Sequence, residues 1–343
     1  MISMENANDV NGAGKCDLCT DDAKIVLPYG PHKYCHSHFI AFFEKRIRRT
    51  VRQQSLVKPG EKIAIGVSGG KDSAVTLHLL HGMISKTNEI EAVMIDEGIP
   101  GYRDVSLEMG KELCKMLDVP YTLVNYRKEV GITMTQIKDA IDMQPALGTT
   151  CSFCGTFRRH LLNKVAFEIG AQKIATGHNL DDEVQSICMN FFDNDLKKMA
   201  RLGAVVRNKV DAGLVPRIKP LYETPEKEVI AYAALKELPH YSDECCPFSY
   251  QAKRNYFREM LNNMENELPG TKFKILRTFQ QMKPFIEPLG KGVEISYCTR
   301  CGAASNGGSC GTCRKIESLS AIHRFSAKQE KGRKLSCTTT KNM

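Results

Sequence analysis

The sequence has no apolar run near the roughly 20 residues that a membrane helix requires. Its first residues, Met1 to Asn11, are polar and acidic. They have neither the basic start nor the apolar stretch of a secretory leader, so a cytoplasmic protein without a membrane partner is expected. No solenoid-type repeat recurs. Disulfide frameworks are out of place in a reducing compartment, which makes 14 cysteines in 343 residues a strong deviation. Clustered thiols there point to metal or redox chemistry. Hydrophobic residues make up 42% of the chain, enough for an ordinary core. The length predicts one main domain with smaller modules. A net charge of +9 fits a polyanion partner without demanding one.

Regular alternation begins after a turn at Lys58-Pro59-Gly60. Lys62 to Val67 reads as a strand, Asp72 to Ser85 as an apolar helix and Ile90 to Asp96 as a second strand. Arg103 to Leu117 follows as a helix, with Met109, Leu113, Met116 and Leu117 at helical spacing. Tyr121 to Val124 and Lys173 to Thr176 read as further strands. The latter leads into a helix whose Val184, Ile187, Cys188, Phe191 and Phe192 form one apolar face. Thr224 to about Met282 is helical in pattern. Such alternation predicts an α/β fold with a doubly wound parallel sheet, whose ligand sits at the carboxyl ends of the strands. Cys114 and Cys188 fall in helical patterns and read as small core residues.

The sharpest motif is Ser68-Gly69-Gly70-Lys71-Asp72-Ser73, between the first strand and the first helix of this series. Two glycines let the backbone approach a ligand and present its N–H groups. The Ser68 and Ser73 hydroxyls add donors, and the helix aims its positive dipole end at the same point. Together they make a cradle for a pyrophosphate. A Walker A loop would need Gly in place of Ile65 and Ser or Thr in place of Asp72. Asp72 is suited to hold magnesium or to orient the loop. Asp96 is placed either to meet the nucleotide or to cap a helix. A second signal, Gly177-His178-Asn179-Leu180-Asp181-Asp182-Glu183, reads as a helix cap or as a nucleotide or magnesium contact, with Asp182 the first choice for a catalytic carboxylate.

The cysteines form three sets. Cys16-x-x-Cys19 with Cys35-x-x-His38 has the spacing of a tetrahedral structural zinc, with His36 an alternative to His38. Cys298-x-x-Cys301 with Cys310-x-x-Cys313 makes a second such site. The third set is Cys151-x-x-Cys154, ahead of Arg158 and Arg159, with the distant doublet Cys245-Cys246 before Pro247. Three thiolates suit an iron–sulfur cluster with one iron left open. Persulfide chemistry ending in a disulfide, or a third zinc, are the other readings.

The loop resembles the PP-loop of ATP pyrophosphatases, which cleave ATP to AMP and pyrophosphate and adenylate a substrate oxygen. With the internal Cys-x-x-Cys, the later Cys-Pro and a zinc module at each end, the chain from Cys16 to Cys313 resembles the TtuA and cytosolic thiouridylase family of tRNA 2-thiouridine synthetases. The resemblance implies an adenine nucleotide alpha hydrolase-like fold, ATP with Mg2+, and two Zn2+ ions. It also implies a 4Fe–4S cluster on Cys151, Cys154 and Cys246. Cys246 is preferred to Cys245 because the family motif has Cys directly before a Pro-aromatic-Ser run, here Pro247-Phe248-Ser249. A homodimer is implied as well, with sulfur from sulfide or a ubiquitin-like thiocarboxylate protein.

The activity so implied is adenylation of a tRNA uridine at O2, then replacement of that oxygen by sulfur. ATP would contact Ser68 to Ser73, Asp96, Gly177 and His178. Phosphates of tRNA would meet Lys45, Arg46, Arg48, Arg49, Arg52, Arg158, Arg159 and Arg254. The expected organisation is a zinc module at 1–39, a basic linking helix at 40–60, the PP-loop domain at 61–290, a second zinc module at 291–316 and a polar tail at 317–343. Other readings are a different PP-loop enzyme acting on tRNA, thiolation by a persulfide without a cluster, and a non-catalytic zinc RNA-binding protein.

Overall fold

The computed structural model describes residues 14–30, 32–206, 213–242, 246–249, 252–290, 296–305 and 307–320. Ile25–Leu27 (β1) and His32–Tyr34 (β2) form a small antiparallel ribbon. Cys35 is then the N-cap residue of His36–Gln53 (α1). Phe39, Phe43 and Ile47 recur at helical spacing on α1 and are fully buried. Phe43 stacks on Tyr232 with ring centroids 4.4 Å apart. The expected module boundary at residue 39 therefore falls inside a helix that belongs to the main core.

The central alternation follows the sequence pattern to within a residue or two: Lys62–Gly66 (β3), Lys71–Ile84 (α2), Glu89–Asp96 (β4), Arg103–Met116 (α3) and Tyr121–Asn125 (β5). Tyr126–Val130 (α4), Met134–Met143 (α5) and the long Thr150–Glu168 (α6) come next. The periodicity reading did not assign these helices, although their caps are explicit. Thr133 closes a capping box with Gln136, and the Thr149 hydroxyl accepts from the Ser152 N–H at 3.3 Å. Lys173–Ala175 (β6), Leu180–Phe192 (α7), Leu196–Met199 (α8), Val205–Val206 (β7) and Arg217–Ile218 (β8) follow. The single helical stretch expected from Thr224 to Met282 is three helices, Glu226–Leu235 (α9), Lys253–Glu267 (α10) and Thr271–Ile286 (α11). Ser296–Tyr297 (β9) and Ala304–Ser305 (β10) pair antiparallel, and residues 311–320 are helical.

The six-stranded sheet has the order β5-β4-β3-β6-β8-β7. Every pair is parallel except β7 with β8. Helices cover both faces, so Ile63, Ala64 and Ile65 of β3 are completely buried, as a strand between two layers must be. One core joins this sheet to α1, α2, α7 and α9; the other joins it to α5, α6 and Leu319. The strand order reverses at β3, which has β4 on one side and β6 on the other. The carboxyl ends of β3 and β6 flank the crevice where such folds take ligands.

Three expectations change here. Phe191 and Phe192 are 63% and 67% exposed, because the apolar stripe of α7 runs beyond the edge of the core. Cys188 on the same helix is only half-buried. Residues 317–320, expected to begin the polar tail, are instead helical, with Leu319 buried against the core; Cys245, Cys337 and the rest of that tail lie outside the described residues.

Candidate active site and metal centres

The loop Ser68 to Ser73 closes on itself. The Ser68 N–H donates to Ser73 Oγ at 3.1 Å, and the Ser73 hydroxyl donates to the Gly70 carbonyl at 2.8 Å. Gly69 has φ +80°, and a β-carbon on it would lie 1.7 Å from the carbonyl oxygen of Ser106. Only glycine fits there. The Tyr241 N–H donates to the Gly69 carbonyl at 2.7 Å and covers the loop from the far side. The result is a rigid turn that opens α2 and presents N–H groups at its positive end.

The turn after β6 lies against this loop. A β-carbon on Gly177 would come within 2.7 Å of the Asp72 carbonyl carbon. Asn179 caps α7, accepting from the Asp182 N–H at 3.1 Å, and its amide donates to Asp72 Oδ1 at 3.0 Å. One side chain thus fixes both expected carboxylates. Burial pushes the carboxyls of Asp72 and Asp182 up from their ordinary values. Each gains only part of that back, Asp72 from Lys71 and Asp182 from Arg254. Crowded carboxylates of this kind fit a divalent cation, whose hard charge they would share.

Other polar groups are committed to the protein. Lys71 Nζ pairs with Glu226 at 2.7 Å and Asp72 at 3.2 Å, so what it offers the cradle is its backbone N–H. Glu226, in the first turn of α9, was not foreseen from sequence; the acidic first turn of a helix was its only signal. Asp96 accepts from the Gly98 N–H at 2.8 Å and from the Asn125 amide, which holds the end of β4 and caps no helix. His178 is solvent-accessible and lies 2.9 Å from the Thr176 hydroxyl. The protein packed around it and the nearby Lys219, Arg254 and Arg217 push its imidazole far down, so it stays neutral.

Cys151 and Cys154 stand one turn apart on α6, on a shared face. Cys246 heads a turn in which its carbonyl accepts from the Ser249 N–H at 2.9 Å and the Ser249 hydroxyl at 2.7 Å. Pro247 fits the second position of that turn. The Thr150 hydroxyl donates to the Phe248 carbonyl at 3.2 Å, tying the turn to the start of α6. Burial raises the thiols of Cys151 and Cys246, and the field of Cys154 raises both further. Cys151 is exposed while Cys154 and Cys246 are half-buried, so the centre is open on one side.

Cys16, Cys19, Cys35 and His38 place their ligand atoms within 4.8 Å of one another, as do Cys298, Cys301, Cys310 and Cys313. His38, not His36, completes the first set. Burial opposes ionisation of Cys16, but hydrogen bonds from the backbone of Cys35 and Leu18 lower it to about 6. The Cys310 N–H, 3.2 Å from the Cys298 sulfur, does the same for Cys298, also to about 6. One thiol in each set is thus eased toward the thiolate, and four convergent Cys or His donors fit a zinc ion.

The basic residues divide. Lys45, Arg48, Arg49 and Arg52 are exposed on α1, with Arg48 paired to Glu44 at 2.7 Å. Arg46 is 9% exposed and is bound to Glu228 at 2.8 Å and to the Tyr29 hydroxyl at 2.7 Å. It is a core residue rather than a phosphate contact, because Phe39, Phe43 and Ile47, at i, i+4 and i+8, set the inward face and Arg46, three residues after Phe43, shares it. Arg254 is held by Asp182 at 2.7 Å. Arg158 reaches Glu97 and Cys154, while Arg159 is exposed beside Lys315 and Arg217.

A phosphate cradle at the switch point of a doubly wound sheet defines a nucleotide-binding enzyme of the PP-loop class. Residues 41–265 match the family model described as a PP-loop domain. The chain is 39% identical to the tRNA 2-thiolation protein NcsA of Haloferax volcanii, over 90% of this chain and 100% of that one. It is 34% identical to the tRNA-5-methyluridine(54) 2-sulfurtransferase of Pyrococcus horikoshii, over 88% and 93%. Among solved structures, the U34-tRNA thiolase NcsA from Methanococcus maripaludis with its 4Fe–4S cluster matches with a TM-score of 0.69 at 32% identity, covering 79% of this chain and 88% of that one. The chain belongs to the PP-loop family of tRNA 2-thiolation enzymes.

Proposed function

We propose that this protein binds ATP on Ser68 to Ser73, adenylates a tRNA uridine at O2 and replaces that oxygen with sulfur. The reading is supported by the phosphate cradle opening at the carboxyl end of β3 while Arg158, bound to Glu97 at the carboxyl end of neighbouring β4, reaches Cys154, and Thr150 ties the Cys246 turn to the same end of α6. The backbone N–H groups of Gly69, Gly70 and Lys71 meet the β- and γ-phosphates that leave as pyrophosphate, while Ser73, engaged with the Ser68 N–H and the Gly70 carbonyl, holds the loop in shape. Asp72 and Asp182 hold the magnesium ion that neutralises the triphosphate. The uridine O2 attacks the α-phosphorus, and the O–AMP bond so formed turns a poor leaving group into a good one. Neutral His178 lies beside the nucleotide, where it donates or accepts a hydrogen bond without adding charge. Cys151, Cys154 and Cys246 would hold a 4Fe–4S cluster, which when bound would supply the sulfide-level sulfur that replaces the oxygen on C2. AMP then departs with the former O2.

The two tetrads hold zinc and fix the ends of the chain. Lys45, Arg49, Arg52 and Arg159 meet tRNA phosphates. Homodimerisation, a cytoplasmic setting, and sulfur arriving as sulfide or from a ubiquitin-like thiocarboxylate protein complete the reading; the name of the Xenopus laevis relative, cytoplasmic tRNA 2-thiolation protein 1, at 35% identity, supports the setting. Among the described residues no helix is long and apolar enough to cross a membrane. The test separates the two half-reactions. Cys151→Ala should lose thiolation while ATP and tRNA still bind, and Asp72→Asn should lose pyrophosphate release itself. Thiolation retained in Cys151→Ala would remove the cluster from the reading, and normal turnover in Asp72→Asn would remove the loop.

A further inference from the structure

Glu97, at the carboxyl end of β4, belongs to none of the motifs above. Its side chain is 1% exposed, yet it meets two cations. Arg103, itself buried, grips the carboxylate through Nε and Nη2. Arg158 reaches Glu97 Oε1 with Nε at 2.9 Å and Nη2 at 2.8 Å. Each arginine is also engaged elsewhere. Arg103 Nη1 donates to the Ser68 carbonyl at 2.7 Å, at the head of the phosphate loop. Arg158 Nη2 donates to Cys154 Sγ at 3.3 Å. An unbroken series of hydrogen bonds therefore runs from the loop to the cysteine centre, with Glu97 at its middle.

A carboxylate buried for packing alone needs one bidentate arginine. The second guanidinium, that of Arg158, is 46% exposed, so it is a cation that burial of Glu97 does not by itself demand. What the second one adds is orientation. Guanidinium and carboxylate are both planar, so tilting one arginine tilts the carboxylate and with it the other arginine. Both ends of the series are stiff. The Gly69 Cα faces the Ser106 carbonyl so closely that α3 and the loop move together. At the other end Arg158 and Cys154 stand one turn apart on α6.

We propose that Glu97 is a positioning residue through which occupancy of the phosphate loop and occupancy of the cysteine centre set each other's affinity. The proposal rests on the reading that ATP binds the loop and a 4Fe–4S cluster binds the three cysteines. A nucleotide that draws the Ser68 backbone toward its phosphates pulls Arg103, and Glu97 passes the shift to Arg158 and Cys154. Coupling of this kind is reciprocal: a loaded centre changes nucleotide affinity by the same factor as nucleotide changes affinity for the cluster.

The test uses the full chain, zinc-loaded and handled anaerobically, with and without a reconstituted cluster. The Kd of an α,β-methylene ATP analogue is measured by calorimetry on both forms. Wild type should give a ratio of about 5-fold or more between them, and Glu97→Gln a ratio near one. The electron paramagnetic resonance signal of the reduced cluster should shift on adding the analogue in wild type and stay still in Glu97→Gln. Should Glu97→Gln not fold, Arg158→Lys keeps the charge and loses the planar fork, and the same collapse of the ratio is expected. A wild-type ratio of one, or equal ratios in wild type and variant, would overturn the proposal. Failure of the analogue to bind either form, or of iron to load, would overturn the underlying reading and the coupling with it.

Discussion

Gly177 and Asp72 meet backbone to backbone: a β-carbon on Gly177 would lie 2.8 Å from the Asp72 carbonyl oxygen and 2.9 Å from the Ser73 nitrogen. The turn after β6 is thus seated on the first turn of α2, and the phosphate cradle has its shape only while that seat is kept. Gly177→Ala must push the two turns apart, since the atoms it meets are main chain and cannot rotate away. The expected outcome is a Kd for ATP raised by about tenfold, or 1.4 kcal/mol, in a protein that still folds. Gly82, within α2, has open space where its side chain would be. Gly82→Ala should leave ATP binding unchanged and raise stability by about 0.5–1 kcal/mol. Calorimetric titration and thermal unfolding check both.

Arg46 and its neighbours on α1 should separate cleanly in experiment. Arg46→Ala leaves Glu228 buried without its cation, a change that costs about 3–5 kcal/mol of stability. Burial already pushes the Glu228 carboxyl up from its ordinary value, so the unpaired acid has little reserve. The salt dependence of tRNA binding should not change in this variant. Replacing the exposed Lys45, Arg49 and Arg52 together with Ala should do the reverse. Stability should hold to within about 0.5 kcal/mol per site, while the slope of log K against log salt falls by about 0.7–0.9 for each phosphate no longer neutralised. Chemical denaturation and a salt series of filter-binding curves decide between the two roles.

The loop Ser68 to Ser73 was legible in the sequence because everything it needs is local: two glycines, two hydroxyls, a strand before and a helix after. The two cysteine-rich tetrads were legible for the same reason, as pairs of residues at fixed short spacing. The partners of the buried carboxylates were not. Asn179 reaches Asp72 across 107 positions and Arg158 reaches Glu97 across 61, and no periodicity carries such pairings. Arg46 is illegible as a core residue because a run of basic residues looks alike from every side until Phe39, Phe43 and Ile47 are seen to set the inward face. The α6 helix carries a cap at Thr149 and an apolar stripe through Phe153, Phe157, Leu161 and Val165. The ligand spacing of Cys151 and Cys154, in and just beyond its first turn, masks both signals.

Zinc removal should act unequally at the two ends. Cys35 is the N-cap residue of α1 and His38 lies in its first turn, so the first tetrad anchors a helix whose Phe39 and Phe43 are core residues. Cys16→Ser should lower zinc content from about two per chain to about one and reduce the unfolding temperature of the whole protein. Cys298→Ser should also remove one zinc. Its tetrad forms a small cluster of its own, so the main unfolding transition should move less. Metal analysis beside calorimetric scans would expose the difference. Equal shifts in both variants would show that α1 does not depend on its metal.

Glu97 makes a prediction with a definite sign in pH. Burial works against its charge, but Arg158 and Arg103 outweigh it and hold the carboxyl below the ordinary glutamate value of 4.5. A group held down in the folded state binds a proton more readily when unfolded. Its contribution is therefore present above about pH 4.5 and is lost as pH falls through the lower, folded value. Glu97→Gln never had that contribution. At neutral pH the variant should be less stable than wild type by about 3 kcal/mol, since two guanidinium groups then lack their anion. As pH falls below 4.5 the gap should narrow, at up to about 1.4 kcal/mol per pH unit. Both proteins carry the same zinc ligands, so proton-driven metal loss subtracts out of the difference. Urea unfolding midpoints from pH 7 to pH 3.5 measure the gap directly. A gap that stays constant or widens toward acid would mean that Glu97 is not the anion that holds Arg103 and Arg158.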